Sequence, residues 1–160
     1  MEKEMEPKIY KKEAMIIAGV SGSGDETGKA WQDYMKLEKL NPLKNTVEEA
    51  GYEVRMYPGG VGPGQVHIGM NVTDTNVPPE YKCLSVPASL YAEFLIYPAK
   101  GYGSSNEEME TWLSDNADKY TQRSMDGNAY GIEVYDERFK GNEDPESVVG
   151  ILVPVEEVRK

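Results

Sequence analysis

Apolar residues in this chain change from a strand spacing to a helix spacing and back, and they do so twice. Each time the predicted order is strand, helix, strand, strand. The first set comprises the segments 14–20, 27–41, 52–57 and 66–72. The second set comprises extended segments at 81–86 and 90–97, a helix at 106–117, and strands at 130–136 and 148–155. We therefore expect one α+β domain over residues 1–160, with pseudo-repeats at about 14–75 and 80–156. An antiparallel sheet would carry the helices on one side, with a cleft between the halves.

Length and charge narrow the class of protein. The chain has 160 residues, enough for one domain with its own core, and a net charge of -11. Because an acidic surface repels phosphate and the sequence has no basic patch, we expect no direct nucleic-acid binding. The single cysteine, Cys83, cannot form an internal disulfide, and no apolar run approaches the length that spans a membrane. We expect a cytoplasmic protein that does not contact the membrane.

Several stretches of the sequence are similar to cofactor- or metal-binding motifs but lack the residues or the spacing that those motifs require. The glycine-rich stretch at 22–30 lacks the Ser or Thr that follows Gly-Lys in a phosphate-binding loop, and the stretch at 59–64 is more typical of a tight turn. The only histidine, His67, cannot form a histidine cluster. The acidic run at 143–146 lacks the spacing of a calcium loop. We therefore expect neither a cofactor nor a metal.

Tyrosine is the informative residue, with 11 Tyr against 2 Phe. In the last strand but one, Tyr130, Ile132 and Val134 alternate with Glu133 and Tyr135. One interpretation is that Glu133 faces water on a half-exposed sheet. Alternatively, a carboxylate among aromatic rings suits a lipophilic cation, because ring faces attract positive charge and the ligand compensates the desolvated carboxylate.

Alternation also predicts which residues share a face. If the helices cover the faces that carry Phe94, Ile96, Ile132 and Val134, the opposite face lines the cleft or meets water. That opposite face would carry Tyr91, Glu93, Tyr97, Glu133 and Tyr135.

The segment YGIEVYDERF at 130–139, followed about ten residues later by GILVPV, resembles the terminal signature of the GyrI-like small-molecule-binding domain. That domain is also the effector-binding half of AraC-type and multidrug-responsive transcription regulators. VPASLYAEF at 86–94 and HIGMNV at 67–72 resemble further segments of it, so the resemblance covers most of the chain. It implies a duplicated strand-helix-strand-strand fold with a ligand cleft between the halves. With no helix-turn-helix ahead of the domain, we expect a stand-alone form.

The resemblance also implies site residues. The family's carboxylate at the floor of the cleft falls on Glu133, with Tyr135 beside it, and Tyr91 matches an aromatic position of the family. Glu93 stands where an apolar residue is expected, so whether Glu93 or Glu133 is the central carboxylate stays open. The candidate walls of the cleft are Tyr91, Tyr97, Trp112 and Tyr135.

Three functions follow from this resemblance. The first is binding of a lipophilic aromatic small molecule, cationic or neutral, with Glu133 as the counter-ion of a cation. The second is hydrolysis, because some stand-alone relatives resemble enzymes that open the strained cyclopropane rings of alkylating natural products. Glu133 would then act as acid or base, and Tyr91 would orient the substrate. The third is binding of a protein partner, since relatives include gyrase-binding proteins.

Overall fold

The structure, a computed structural model, describes residues 7–57, 64–100, 103–125 and 127–158. Most of the glycine-rich turn predicted at 59–64 lies outside these residues. The strands are β1 (Lys8–Lys12), β2 (Met15–Ser23), β3 (Thr46–Tyr57), β4 (Gln65–Val72), β5 (Lys82–Val86), β6 (Ser89–Ile96), β7 (Tyr120–Gln122), β8 (Ser124–Met125), β9 (Asn128–Tyr135) and β10 (Val149–Glu157). The helices are α1 (Thr27–Leu40) and α2 (Gly103–Asp115). Neither helix is long and apolar enough to cross a membrane.

All of these strands belong to one antiparallel sheet, which confirms the α+β prediction. The order is β1-β6-β10-β9-β3-β4-β2-β5, with β7 added to β10 and β8 added to β9. The predicted hairpin is present as the β3–β4 pair. β9 and β3 pair with each other at the centre of the sheet.

Two short links force this sheet to curl. Only residues 13 and 14 join β1 to β2, and only residues 87 and 88 join β5 to β6. In each case six strand-to-strand steps separate the joined strands within the sheet. Six steps cover about 29 Å in a flat sheet, whereas links this short reach at most about 11 Å. The two ends of the sheet therefore approach each other, and one face of the sheet becomes an interior.

The inner face of the curl holds a continuous apolar core. Met15 and Val86 from one end of the sheet meet Tyr91 from the other end and Ile132 from its centre. Tyr91 is fully buried there, and its hydroxyl lies 3.2 Å from that of Tyr130. The curl thus joins the distant ends of the sheet through shared side-chain packing.

His67 is a buried member of this inner face rather than a free imidazole. It pairs with Val54 across the strands and is 2% exposed. Its Nε2 donates to the Ile17 carbonyl at 2.7 Å, and its Nδ1 accepts from the Ser21 hydroxyl at 2.9 Å. Burial lowers the pKa of His67, so both hydrogen bonds belong to the neutral ring.

The two helices pack on the outer face, above different parts of the sheet. α1 covers β2 and β4 through Ala30 and Tyr34, and α2 covers β6 and β10 through Met109. Direct cross-strand partners form one row across this face, in the order Phe94, Ile151, Glu133, Glu53, Ile68 and Val20. The row is apolar beneath each helix. Between the helices, where it crosses β9 and β3, it is acidic.

One prediction about the faces of the strands is wrong. Ile151 pairs with both Phe94 and Glu133, so Glu133 shares the helix-covered face with Phe94. Ile132 and Tyr91 lie instead on the inner face. The physical reason is the curl: because both faces of the sheet are buried, an apolar residue no longer indicates the side on which the helices lie.

Candidate functional site

Two glutamates face each other at the middle of the outer face. Glu53 of β3 and Glu133 of β9 are direct cross-strand partners. Their side chains are only 2% and 13% exposed. Like charges opposite each other destabilise an antiparallel pair, and burial adds to that cost. The pair therefore needs compensation from its surroundings.

Arg55 supplies the compensating charge. It follows Glu53 by two residues on the same face of β3, and its Nε lies 2.8 Å from Glu53 Oε2 and 3.1 Å from Glu133 Oε2. Its Nη2 donates to the Thr27 hydroxyl at 2.9 Å, and its Nη1 to the Gly24 carbonyl at 3.4 Å. The start of α1 thus fixes the guanidinium, and one positive charge serves two carboxylates.

Trp31 and Tyr135 complete the site. The Trp31 indole donates to Glu53 Oε1 at 2.8 Å, and the Tyr135 hydroxyl donates to Glu133 Oε1 at 3.1 Å. The two rings meet edge to face with centroids 5.1 Å apart. Trp31 can approach the sheet because Gly51 lies beneath it; a Cβ at Gly51 would be 3.1 Å from the indole. Each carboxylate therefore has its own aromatic donor.

The environment of the two glutamates separates their proton affinities. Burial, followed by the interaction with the Glu53 carboxylate, raises the pKa of Glu133 to about 8, although Arg55 opposes the shift. Burial also acts to raise the pKa of Glu53, but its interactions with Glu133, Trp31 and Arg55 outweigh burial and lower that pKa. At neutral pH the pair holds one proton, so with Arg55 the site has no net charge.

A cavity of about 500 Å³ adjoins this site between α1 and the early part of β3. Trp31 and Tyr135 line it, so the cavity and the carboxylate pair share two walls. A small molecule held at Glu133 would therefore have room beside it.

The structure brings together only part of the predicted site. Glu133 and Tyr135 are in contact. Tyr97 lies just after β6 and is 40% exposed, with the Lys100 ammonium 5.4 Å from its ring centre. Trp112 belongs to α2, and its ring contacts those of Phe94 and Tyr120 rather than the glutamates.

The other two predicted residues, Tyr91 and Glu93, lie on the inner face, away from Glu133. Glu93 belongs to a second cluster, in which Arg138 Nη2 contacts Glu93 Oε2 at 3.1 Å and Arg138 Nε contacts Asp136 Oδ1 at 3.0 Å. Burial acts to raise the pKa of Asp136, but its hydrogen bonds from Arg138 outweigh burial and lower it. The expectation that Tyr91, Glu93 and Glu133 share one face is therefore wrong.

Sequence reasoning missed Glu53, Arg55 and Trp31 as site residues. The signal was a Glu-x-Arg spacing within a predicted strand, which places both charges on one face. What the sequence could not supply is the register that sets Glu53 opposite Glu133.

Comparison by sequence finds no matching family model and no matching curated protein. Solved structures with the same fold do match. The C-terminal domain of EcmrR is 13% identical with a TM-score of 0.72, and the match covers 96% of this chain and 99% of that domain. In a cryo-EM structure of the EcmrR–DNA complex, 97% of this chain matches 59% of the EcmrR chain at 13% identity, with a TM-score of 0.73.

Two further matches are a protein with a bound ligand and a hydrolase. SAV2435 bound to tetraphenylphosphonium is 17% identical with a TM-score of 0.65, covering 95% of this chain and 94% of that one. A hydrolase from Listeria innocua is 11% identical with a TM-score of 0.53, covering 96% of this chain and 93% of that one. Together these matches confirm the fold that the resemblance to GyrI-like domains implied.

Proposed function

We propose that this chain binds a lipophilic organic cation between α1 and α2, with Glu133 as the counter-ion. The observation that carries the proposal is the buried pair of Glu53 and Glu133 with a single arginine between them. Among the described residues, the ion pairs of these two carboxylates involve one positive charge, that of Arg55, and in the free protein a proton on Glu133 makes up the difference. A bound cation would take the place of that proton.

The neighbouring rings favour an organic cation over a small inorganic ion. Trp31 and Tyr135 provide aromatic surface beside the carboxylates, and ring faces attract a desolvated cation. The adjoining cavity has space for apolar groups. SAV2435, which has the same fold, binds tetraphenylphosphonium, a cation of this class.

Titration with tetraphenylphosphonium, followed by calorimetry, tests the proposal. Glu133→Gln resembles the protonated carboxyl, so we expect it to fold normally but to bind the cation at least about tenfold more weakly. Glu93→Gln is the matched control, since it removes one carboxylate from the other arginine cluster on the opposite face. Equal affinities for the wild-type protein and Glu133→Gln would sink the proposal.

One observation favours hydrolysis as a second function. Glu133 combines a pKa raised to about 8 with a tyrosine hydroxyl 3.1 Å away, an arrangement that suits a general acid. The substrate class is the one implied by the family resemblance, a natural product with a strained cyclopropane ring. Tyr135 would orient it, because Tyr91 lies on the other face of the sheet.

This second function predicts a product heavier than the substrate by one water. Incubation of such a compound with the wild-type protein, followed by mass spectrometry, should reveal that product. Glu133→Gln should abolish turnover while the compound still binds. Binding without any turnover by the wild-type protein would leave only the receptor function.

A further inference from the structure

The cavity beside Trp31 and Tyr135 is acidic as well as aromatic. Its remaining walls include Tyr34, Met35, Glu38, Leu43, Glu49 and Met70. Among the described residues that line it there is no lysine, arginine or histidine. Its two carboxylates therefore have no positively charged neighbour within the cavity wall, which favours a positively charged occupant.

Tyr34 gives this cavity a second polar feature. The residue is 3% exposed, and in the described part of the chain its hydroxyl makes no well-aligned hydrogen bond, although the Glu38 carboxylate lies close enough to interact with it. Burial and the nearby Glu38 carboxylate raise the pKa of Tyr34, so the phenol stays protonated. Most buried hydroxyls in folded proteins have a partner. A ligand N–H group is a donor that the Tyr34 oxygen can accept.

The strand register gives the distance from the carboxylate pair to the near wall of the cavity. Gly51 and Tyr135, which line the cavity, are direct partners two residues along from Glu53 and Glu133. Two residues of extended strand span about 7 Å. A single molecule of ordinary length can therefore occupy both places.

We propose that the site takes an elongated organic dication, with a bulky lipophilic cation at Glu133 and a protonated amine in the cavity beside Tyr34 and Glu38. This inference rests on the proposed function, because it adds a second anchoring point to the same ligand. It restricts the ligand class from any lipophilic cation to one with a second positive centre beyond the near wall of the cavity, at least about 7 Å from the first.

Two matched probes test it: aminohexyl-triphenylphosphonium and hexyl-triphenylphosphonium, which share the head group and the chain. The amine should bind the wild-type protein about 3- to 10-fold more tightly, the gain expected for a partly exposed ion pair with an aromatic neighbour. Glu38→Gln should bring the two affinities together, and Tyr34→Phe should reduce the difference. Asp33→Asn, which neutralises an exposed acid on α1 outside the cavity, should leave the difference unchanged.

The outcomes separate the two proposals. If both probes bind equally well and both are lost in Glu133→Gln, the dication inference fails and the cation-binding function stands. If the amine binds more tightly but Asp33→Asn removes its advantage as fully as Glu38→Gln does, general surface charge explains the gain and the inference fails. If neither probe binds, both proposals fail.

Discussion

Each face of the sheet carries one arginine between two carboxylates, yet the two clusters hold their protons differently. In both, the arginine follows one of its acids by two residues. The Arg55 cluster comprises Glu53, Arg55 and Glu133 on the outer face, and the Arg138 cluster comprises Glu93, Asp136 and Arg138 on the inner face. The pKa of Glu133 is raised to about 8, whereas that of Asp136 is lowered.

The difference follows first from burial and the opposing Glu53 carboxylate, which raise the pKa of Glu133, and then from how many donors each carboxylate receives. Asp136 accepts from the Arg138 backbone N–H and from Arg138 Nε at both of its oxygens. Glu133 accepts one bond from Arg55 and one from Tyr135, and it stands opposite a second carboxylate. The three hydrogen bonds from Arg138 stabilise the charged form of Asp136. A buried carboxyl that has fewer donors and faces a second carboxylate keeps its proton at neutral pH.

The largest expected effect comes from removing each arginine. Arg55→Met leaves the buried glutamate pair without its compensating positive charge, so we expect a loss of about 3 kcal/mol in the free energy of unfolding. Arg138→Met should cost about 1 kcal/mol, because that cluster is more exposed. Urea unfolding of both variants measures the two values. Equal losses would mean that the deeper burial of the Arg55 cluster does not make its arginine more important for stability.

The second-largest expected effect is on the pH dependence of stability, which should differ between the two clusters. The pKa of Glu133 is higher in the folded protein than in the unfolded chain, so its stabilising contribution is complete below pH 4.5 and is lost as the pH rises towards 8. We expect Glu133 to contribute a decline on the order of 2 kcal/mol, since a tenfold change in proton affinity corresponds to about 1.4 kcal/mol and partial solvent access reduces the effect. The lowered pKa of His67 makes stability rise over part of the same range, so the contribution of Glu133 is the difference between the wild-type protein and Glu133→Gln.

The control for this decline is a pair of variants. Glu133→Gln should remove the decline and leave the rise that His67 causes, as measured by urea unfolding between these pH values. Asp136→Asn should leave the decline in place, because the lowered pKa of Asp136 puts its titration below this range. A wild-type stability that rises from pH 4.5 to 8, with Glu133→Gln behaving identically, would contradict the protonated state of Glu133.

Ligand binding should release the same proton. If a cation replaces the proton on Glu133, the affinity for tetraphenylphosphonium should rise with pH below about 8, by at most about tenfold per pH unit. Calorimetry at pH 7 in buffers of different ionisation enthalpy counts the protons released, and we expect about one. An affinity independent of pH would show that the cation does not contact an ionising Glu133.

The smallest effect concerns the donor to Glu133. Tyr135→Phe removes the hydroxyl 3.1 Å from Glu133 and should cost about 1 kcal/mol of stability. It should also raise the pKa of Glu133 further, because the charged form loses a donor. Tyr97→Phe, at a 40% exposed position, should change neither quantity. Unfolding curves at two pH values provide both readouts.

Much of the fold and little of the site could be predicted from the sequence. Periodicity located both helices and most of the long strands, since each depends on local spacing. It missed β1, which is rich in lysine and lies at the edge of the sheet, where lysines are common. Alternation and the resemblance identified Glu133 and Tyr135, but Glu53 and Trp31 depend on register and helix docking, which no local pattern encodes.

The curl of the sheet also sets an order of events for folding. β1 pairs with β6, and Lys8 finds its partner only at Glu93. During synthesis β1 leaves the ribosome before β6, so β1 stays unpaired until residues 89–96 have also emerged. Pairings between residues so distant in sequence slow folding, because the intervening chain loses entropy before the contact forms. Closure of the interior around Tyr91 is thus expected to be a late step, and until then the backbone groups of β1 are open to pairing with another chain.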